Sequence, residues 1–250
     1  MDLSRIQRLG RALTATLTLG VTGTVAATGL QVAPISLQLQ ARQNADGLWL
    51  SNTGASVLNA QVRVYHWTQE DGEERLVPSR NLLASPPMLA IGPADRQLVR
   101  VIRIGPPPMG AAATEDAYRV IIDELPVTAS GKQGVQFVLR YSVPVFIEPE
   151  GKSRTAPHLN WSLQREGDRA VLNVSNAGNG HAQLSQITFV DRHGKKTDVN
   201  AGLLGYVLPG AHKRWTLKTP AAVFAAGGTL NAKVNDEVVA QPVSLDAAAR

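Results

Sequence analysis

From Leu30 onward, apolar residues recur at every second position in short runs that Gly, Pro, Asn and Asp cut off. Side chains on a strand point alternately to two faces, so this spacing belongs to strands, whereas a helix needs a period near 3.6. Ala60, Val62, Val64 and His66 alternate with Gln61, Arg63, Tyr65 and Trp67, and Leu37, Leu39 and Ala41 alternate with polar neighbours. Leu48 to Ser51 runs into the turn signal Asn52-Thr53-Gly54, and Asp71-Gly72 is a hairpin turn. The strand through Leu98, Val99, Val101, Ile102 and Ile104 stops at Gly105-Pro106-Pro107-Pro108, and Tyr118 to Leu125 stops at Pro126. Proline has no N–H to give to a ladder, so neither strand continues. No segment has the pattern of a long helix. Turn signals every 8–15 residues imply an antiparallel β-sandwich of immunoglobulin type.

At 250 residues the chain is too long for one such sandwich and sufficient for two. Glu148-Pro149-Glu150-Gly151-Lys152-Ser153, near the midpoint, is polar and turn-forming, the composition of an elbow between domains. The reading is a first sandwich over 30–148, an elbow over 149–155 and a second sandwich over 156–250. In the second half Leu159 to Leu163, Ala170 to Val174, Gln186 to Val190, Lys213 to Leu217, Thr229 to Val234 and Val238 to Val243 read as strands. Ala247 to Arg250 reads as a frayed end.

Arg5, Arg8 and Arg11 precede the uncharged stretch Ala12–Ala27, which ends in the small residues Val25-Ala26-Ala27. This is the arrangement of an export signal over residues 1–27, and the stretch is short for a stable helical anchor. Losing it removes three Arg and one Asp, so the net charge falls from +5 to +3. The absence of cysteine excludes a disulfide scaffold, a thiolate zinc site, an iron–sulfur cluster and a cysteine nucleophile. An exported chain without disulfides must rest on sandwich packing alone.

Catalytic signatures are missing. His66, His158, His181, His193 and His212 are scattered without metal-ligand spacing, and no nucleophile elbow, P-loop or dinucleotide fingerprint is present. The carboxylates Asp123 and Glu124 are neighbours on a strand and face opposite ways, so they cannot flank one bond. They read as solvated or ion-paired groups at a strand end. Arg96, Arg100 and Arg103 lie near one strand without interleaved aromatics and without a common parity, the pattern of a solvated face rather than of a nucleic-acid surface. The reading is a non-enzyme with no cofactor, no metal and no nucleic-acid partner.

Val135, Phe137, Leu139, Tyr141, Val143 and Val145 form an unbroken apolar row on one parity. A strand over Val135–Val145 has 11 residues, against a mean near 5–6. The row either fills its own core or lies in part at a sheet edge, offered to another chain by strand addition.

Tyr118-Arg119-Val120-Ile121-Ile122-Asp123-Glu124-Leu125-Pro126 resembles the strand motif that precedes the donor strand in periplasmic pilus (fimbrial) assembly chaperones. Asn52-Thr53-Gly54, Ser85-Pro86-Pro87, Gln97-Leu98-Val99-Arg100-Val101, Arg140-Tyr141-Ser142-Val143-Pro144-Val145-Phe146 and Gly202 to Gly210 are similar to stretches of the same proteins, in the same order. The resemblance covers about residues 30–245. It implies two immunoglobulin-like domains set at an angle, behind a signal peptide, acting in the periplasm. It also implies donor-strand complementation, in which the chaperone completes pilus subunits that lack a strand and delivers them to an outer-membrane usher. Val135, Phe137, Leu139 and Tyr141 are then the donor residues.

The best-studied branch of that family holds the subunit's terminal carboxylate with an Arg on the first strand and a Lys on the donor strand. Ser36 and Pro144 stand at those places here, so the pattern resembles the archaic branch, with its spore-coat-U-type pili. Arg119 and Arg140 are the carboxylate anchors this resemblance implies. A turn centred near Ser130–Gly131 pairs residues whose numbers sum to about 261, placing Arg119 opposite Ser142 and Arg140 diagonally beside Arg119. Two surface arginines paired with Asp123 or other acids are the competing reading. An exposed apolar edge also invites self-association through the donor strand. The alternative function is a secreted two-domain immunoglobulin-like adhesion or surface-binding module.

Overall fold

The computed structural model describes residues 29–126, 137–151 and 154–246. The export signal and the frayed end read from the sequence lie outside them, as does part of the 149–155 elbow. The strands of the first half are β1 (Leu30–Ala33), β2 (Leu37–Leu39), β3 (Ala45–Asn52), β4 (Leu58–Glu70), β5 (Glu73–Pro78), β6 (Leu82–Ser85), β7 (Met88–Ile91), β8 (Arg96–Arg103), β9 (Asp116–Leu125) and β10 (Arg140–Ile147). Those of the second half are β11 (Leu159–Glu166), β12 (Arg169–Asn176), β13 (Ala182–Asp191), β14 (Lys196–Val207), β15 (His212–Pro220), β16 (Gly228–Val234), β17 (Glu237–Val243) and β18 (Leu245–Asp246). A single 3-10 turn, Ala221–Phe224, is the helical content of the described residues.

Each half is two sheets face to face. In the first, β1-β3-β8-β6 packs on β2-β10-β9-β4-β5, with β7 also paired to β4. In the second, β15-β12-β11-β18 packs on β14-β13-β16-β17. Alternation explains which residues go inside. Leu48 and Leu50 on β3, Val99 and Val101 on β8, Val120 and Ile122 on β9 and Val143, Val145 and Ile147 on β10 fill one core. Leu163, Leu172, Val174, Leu184, Ile187, Phe189 and Leu230 fill the other.

The two halves repeat one device. Asn52 ends β3 and Asn176 ends β12, each almost fully buried and followed by a residue and a glycine. Asn52 Nδ2 donates to the carbonyls of Ser56, Ile91 and Gly92 at 2.7, 3.0 and 3.1 Å, and its Oδ1 accepts from Gly54 N–H. Asn176 Nδ2 donates to the carbonyls of Gly180 and Val207 at 2.8 and 3.1 Å, while Oδ1 accepts from His158 and Gly178. A short amide with two donors and an acceptor satisfies loop backbone groups that no strand reaches. The Asn52-Thr53-Gly54 turn signal is legible in the sequence, and Asn176-Ala177-Gly178 is its counterpart.

Three expectations change. Arg103 does not lie on a solvated face: it has the inward parity of Val99 and Val101, and its guanidinium is buried against Ala41 O, Asn44 Oδ1 and Gln43 O at 2.7, 3.1 and 3.3 Å. Arg96 and Arg100 are exposed, and Arg96 stacks on Trp49 at 4.6 Å. Of the strand expected over Val135–Val145, the described residues 137–139 lie before β10, which runs from Arg140 on to Ile147, and Val135 and Gln136 lie outside the described residues. Finally, β9 and β10 pair with a register sum of 263, so Arg119 faces Pro144 and Arg140 faces Asp123. A slip of two residues keeps every side chain on its face, which is why alternation alone could not exclude it.

Candidate functional site

β10 is paired along its whole length on one side only. Glu124 N–H donates to Leu139 O at 2.9 Å, which fixes the phase of the β9–β10 ladder. In that phase Tyr141, Val143 and Val145 exchange bonds with β9, while Arg140, Ser142, Pro144 and Phe146 turn their backbone groups to the other side. There β2 pairs in parallel with Val145 to Ile147, and Glu148 N–H donates to Leu39 O at 2.9 Å. Over Arg140–Pro144 no described strand covers this side. Pro144 sits where its missing N–H costs no ladder bond to β9. An open strand edge of this kind accepts another strand by main-chain hydrogen bonding.

The apolar row that runs from β10 back into the residues before it passes from core to solvent. Val145 and Val143 are 0% and 3% exposed, Tyr141 is half-buried, and Leu139 and Phe137 are 40% and 83% exposed. The row therefore fills the core at Val143 and Val145 and leaves it at Leu139 and Phe137. Tyr141 reaches the opposite sheet, donating its hydroxyl to Leu30 O at 2.6 Å, and a Leu139 methyl lies about 3.1 Å from where a Cβ on Gly29 would be. Val135 lies outside the described residues.

On the outer face of the same sheet, Arg140 is ion-paired with Asp123, and Arg63 Nη2 holds the other Asp123 oxygen at 2.5 Å. Burial pushes the Asp123 carboxyl up, but the hydrogen bonds from Arg140 and Arg63 outweigh it and hold it below the usual carboxylate range. Arg119 is elsewhere, four ladder positions away along β9, or about 13 Å at strand spacing. Its guanidinium is 3.7 Å from the Trp67 ring and 5.1 Å from the Tyr206 ring, with Glu74 Oε1 at 4.0 Å. It makes no hydrogen bond to any described residue. Burial lowers the Arg119 pKa, against the pull of Glu74. The structure thus does not bring Arg119 and Arg140 to one point.

Sequence reasoning missed the groups that surround Arg119. Trp67 lies on the polar parity of β4 yet is 1% exposed, because the second half covers it. Phe146 stacks on His181 at 3.5 Å and lies beside Trp67 and Tyr206, while Glu115 Oε2 accepts from the His181 N–H and lies 2.7 Å from His181 Nδ1. Gln69 bridges Tyr206 O and Leu208 N–H at 2.9 Å each, and Lys213 Nζ donates to Gly72 O at 2.5 Å. The only signal for this junction was an aromatic pair, Trp67 and Phe146, at positions of polar parity. A cavity of about 310 Å³ opens beside it, lined by Ser36, Gln38, Phe146, His181, Gln183 and Asn235 among others. Neither Arg119 nor Arg140 lines it. Among the described residues no cluster of three or more His, Asp or Glu could hold a metal ion.

Comparison with known proteins bears on this geometry. A search of curated proteins finds no match. Among solved structures, a chain in the CsuC–CsuE chaperone–tip adhesion subunit pre-assembly complex from archaic chaperone-usher Csu pili of Acinetobacter baumannii is similar, with TM-score 0.65 and 22% identity. The match covers 87% of this chain and 99% of that one. The E. coli chaperone DraB (TM-score 0.58, 15% identity, 88% and 97% covered) and a chain of the Salmonella enterica SafA pilin–SafB chaperone complex (0.58, 19%, 86% and 94%) share the fold. A family model described as "Pili and flagellar-assembly chaperone, PapD N-terminal domain" matches residues 29–153. With that match spanning the first sandwich and its open edge, the chain belongs to the pilus assembly chaperone family, a family of chaperones rather than enzymes.

Proposed function

We propose that the protein is a periplasmic chaperone that captures pilus subunits by donor-strand complementation and passes them to an outer-membrane usher. The observation that carries the reading is the open edge of β10 over Arg140–Pro144, continued by the exposed apolar side chains of Leu139 and Phe137. A subunit lacking a strand exposes apolar surface and unpaired backbone groups, the combination that aggregates. β10 and the residues just before it offer a remedy for both: main-chain donors and acceptors at Arg140 and Ser142, and apolar side chains from Phe137, Leu139 and Tyr141, a row that Val135 continues in the sequence. Of the two arginines proposed to hold the subunit's terminal carboxylate, Arg119 is the better placed. Its guanidinium has no described acceptor within hydrogen-bond distance, its ion-pair partner Glu74 being 4.0 Å away, and it sits at the junction between the halves, whereas Arg140 is hydrogen-bonded to Asp123. A charge-assisted bond to a carboxylate would satisfy those donors.

Periplasmic co-expression with a pilus subunit tests the reading. The subunit should become soluble and co-purify with the protein, and Phe137→Asp should abolish this while the chaperone stays folded. A subunit equally soluble without the protein overturns it. Arg119→Ala should abolish capture as well, and unchanged co-purification refutes the anchor alone.

A further inference from the structure

Asp123 and Glu124 are consecutive on β9 and face opposite sides of the sheet, yet both close on the same stretch of chain. On the outer face the Asp123 carboxylate holds Arg140 and is itself held by Arg63. On the core side Glu124 Oε2 accepts the Leu139 N–H at 3.2 Å, while Glu124 N–H donates to Leu139 O at 2.9 Å. In an unbroken ladder that Leu139 N–H would go to the Glu124 carbonyl instead. The next bonded pair in this register would join Phe137 to Pro126, which has no N–H. Among the described residues backbone pairing of β9 with this segment goes no further than Leu139, and side-chain carboxylates take over there.

We infer that Asp123 and Glu124 are positioning residues that fix the outer end of the donor segment before a subunit arrives. The inference rests on β10 being the donor strand. Asp123 sets the direction of the Arg140 side chain and keeps it off the open edge, and Glu124 fixes the backbone at Leu139, from which Phe137 projects. Ordering these residues in advance removes that entropic cost from the binding step, so the pair acts on capture more than on stability. The Arg140 side chain then works through Asp123 and not by touching the subunit, which meets only the Arg140 backbone.

Capture of a pilus subunit with its N-terminal donor extension deleted, followed alongside amide exchange of the free chaperone, tests this. Glu124→Gln should speed exchange of the Leu139 amide about tenfold, with the Val143 and Ile122 amides and Tm unchanged. Asp123→Asn and Arg140→Gln should each weaken capture about tenfold, and the double variant should be no worse than either single one, as for partners in one interaction. Additive losses, or a larger loss for Arg140→Gln than for Asp123→Asn, would show that the Arg140 side chain meets the subunit and overturn the inference. Unchanged capture with Asp123→Asn and Glu124→Gln would overturn it too, reducing the pair to surface ion pairing. Phe137→Asp separates the two levels: if that variant still captures the subunit, the donor-strand reading itself fails.

Discussion

The exposure gradient along the apolar row from Phe137 to Val145 predicts that identical chemistry, truncation to alanine, damages binding at one end of the row and folding at the other. Fully burying a large apolar side chain is worth about 1.5–3 kcal/mol. Phe137 keeps 83% of its surface in solvent, so nearly all of that gain is still to be made on capture: about 2 kcal/mol, or about thirtyfold in affinity. Leu139, at 40%, has about half as much to gain, near 1 kcal/mol or about fivefold. Val143, at 3%, has nothing left to bury in a partner, and its truncation leaves a cavity costing about 2 kcal/mol of stability. Phe137→Ala should therefore shift the urea midpoint by less than about 0.5 kcal/mol equivalent. Capture of a subunit by surface plasmon resonance and urea unfolding by tryptophan fluorescence, run on all three variants, give the two rankings. They should be inverse: Phe137 before Leu139 before Val143 for capture, and Val143 first for stability. If Phe137→Ala destabilises the chain as much as Val143→Ala, or leaves capture within about twofold, the assignment of the outer row to a partner is wrong.

Other consequences follow from single sites. Asn176→Ala strands two carbonyls and two N–H groups and should cost about 3–4 kcal/mol in urea unfolding, with Asn52→Ala similar; a loss below about 1 kcal/mol would refute their role as plugs. Gly178→Ala would set a Cβ against Ala156 O and 2.5 Å from His158 N, both backbone, and should destabilise by about 1–3 kcal/mol, whereas Gly202→Ala, with open space around it, should change stability by less than about 0.5 kcal/mol. The His66 pKa is raised by its hydrogen bond to Asp116, 2.7 Å away. Its stabilisation is therefore complete below about pH 6.5 and fades as pH rises through the raised folded value. NMR titration should find His66 above the ordinary histidine value, and Asp116→Asn should bring it back.

Much of the architecture was legible because alternation is a direct imprint of the pleat. The runs through Leu48–Ser51, Leu98–Ile104 and Tyr118–Leu125 read as strands, and the structure buries Leu48, Leu50, Val99, Val101, Val120 and Ile122 on the inner face of those strands. The apolar row over Val135–Val145 was visible for the same reason. What escaped were features that parity does not encode. β14 lacks a clean alternation, since its pairing with β13 is broken by irregularities between Leu184 and Thr188, so Lys196–Val207 did not read as a strand. The β9–β10 register needed the turn between them, and a two-residue slip costs nothing in pattern. Arg103 looked solvated because its type outweighed its parity, and only the oxygens of Ala41, Gln43, Asn44 and Gly105 converging on its guanidinium make its burial tolerable.

The candidate site divides along the same line. Sequence by itself determined that Phe137, Leu139, Tyr141, Val143 and Val145 share a face and that Asp123 and Glu124 do not, because strand geometry has a period of two whatever it packs against. Tertiary structure alone decided where that row leaves the core, since this depends on how far β9 and β2 extend beside β10. It also decided that Arg140 belongs to Asp123 while Arg119 lies between Trp67 and Tyr206, residues 139 positions apart in the chain. Charges and aromatics at a junction acquire partners from a different sheet, and no local period can report a contact whose other half is folded elsewhere.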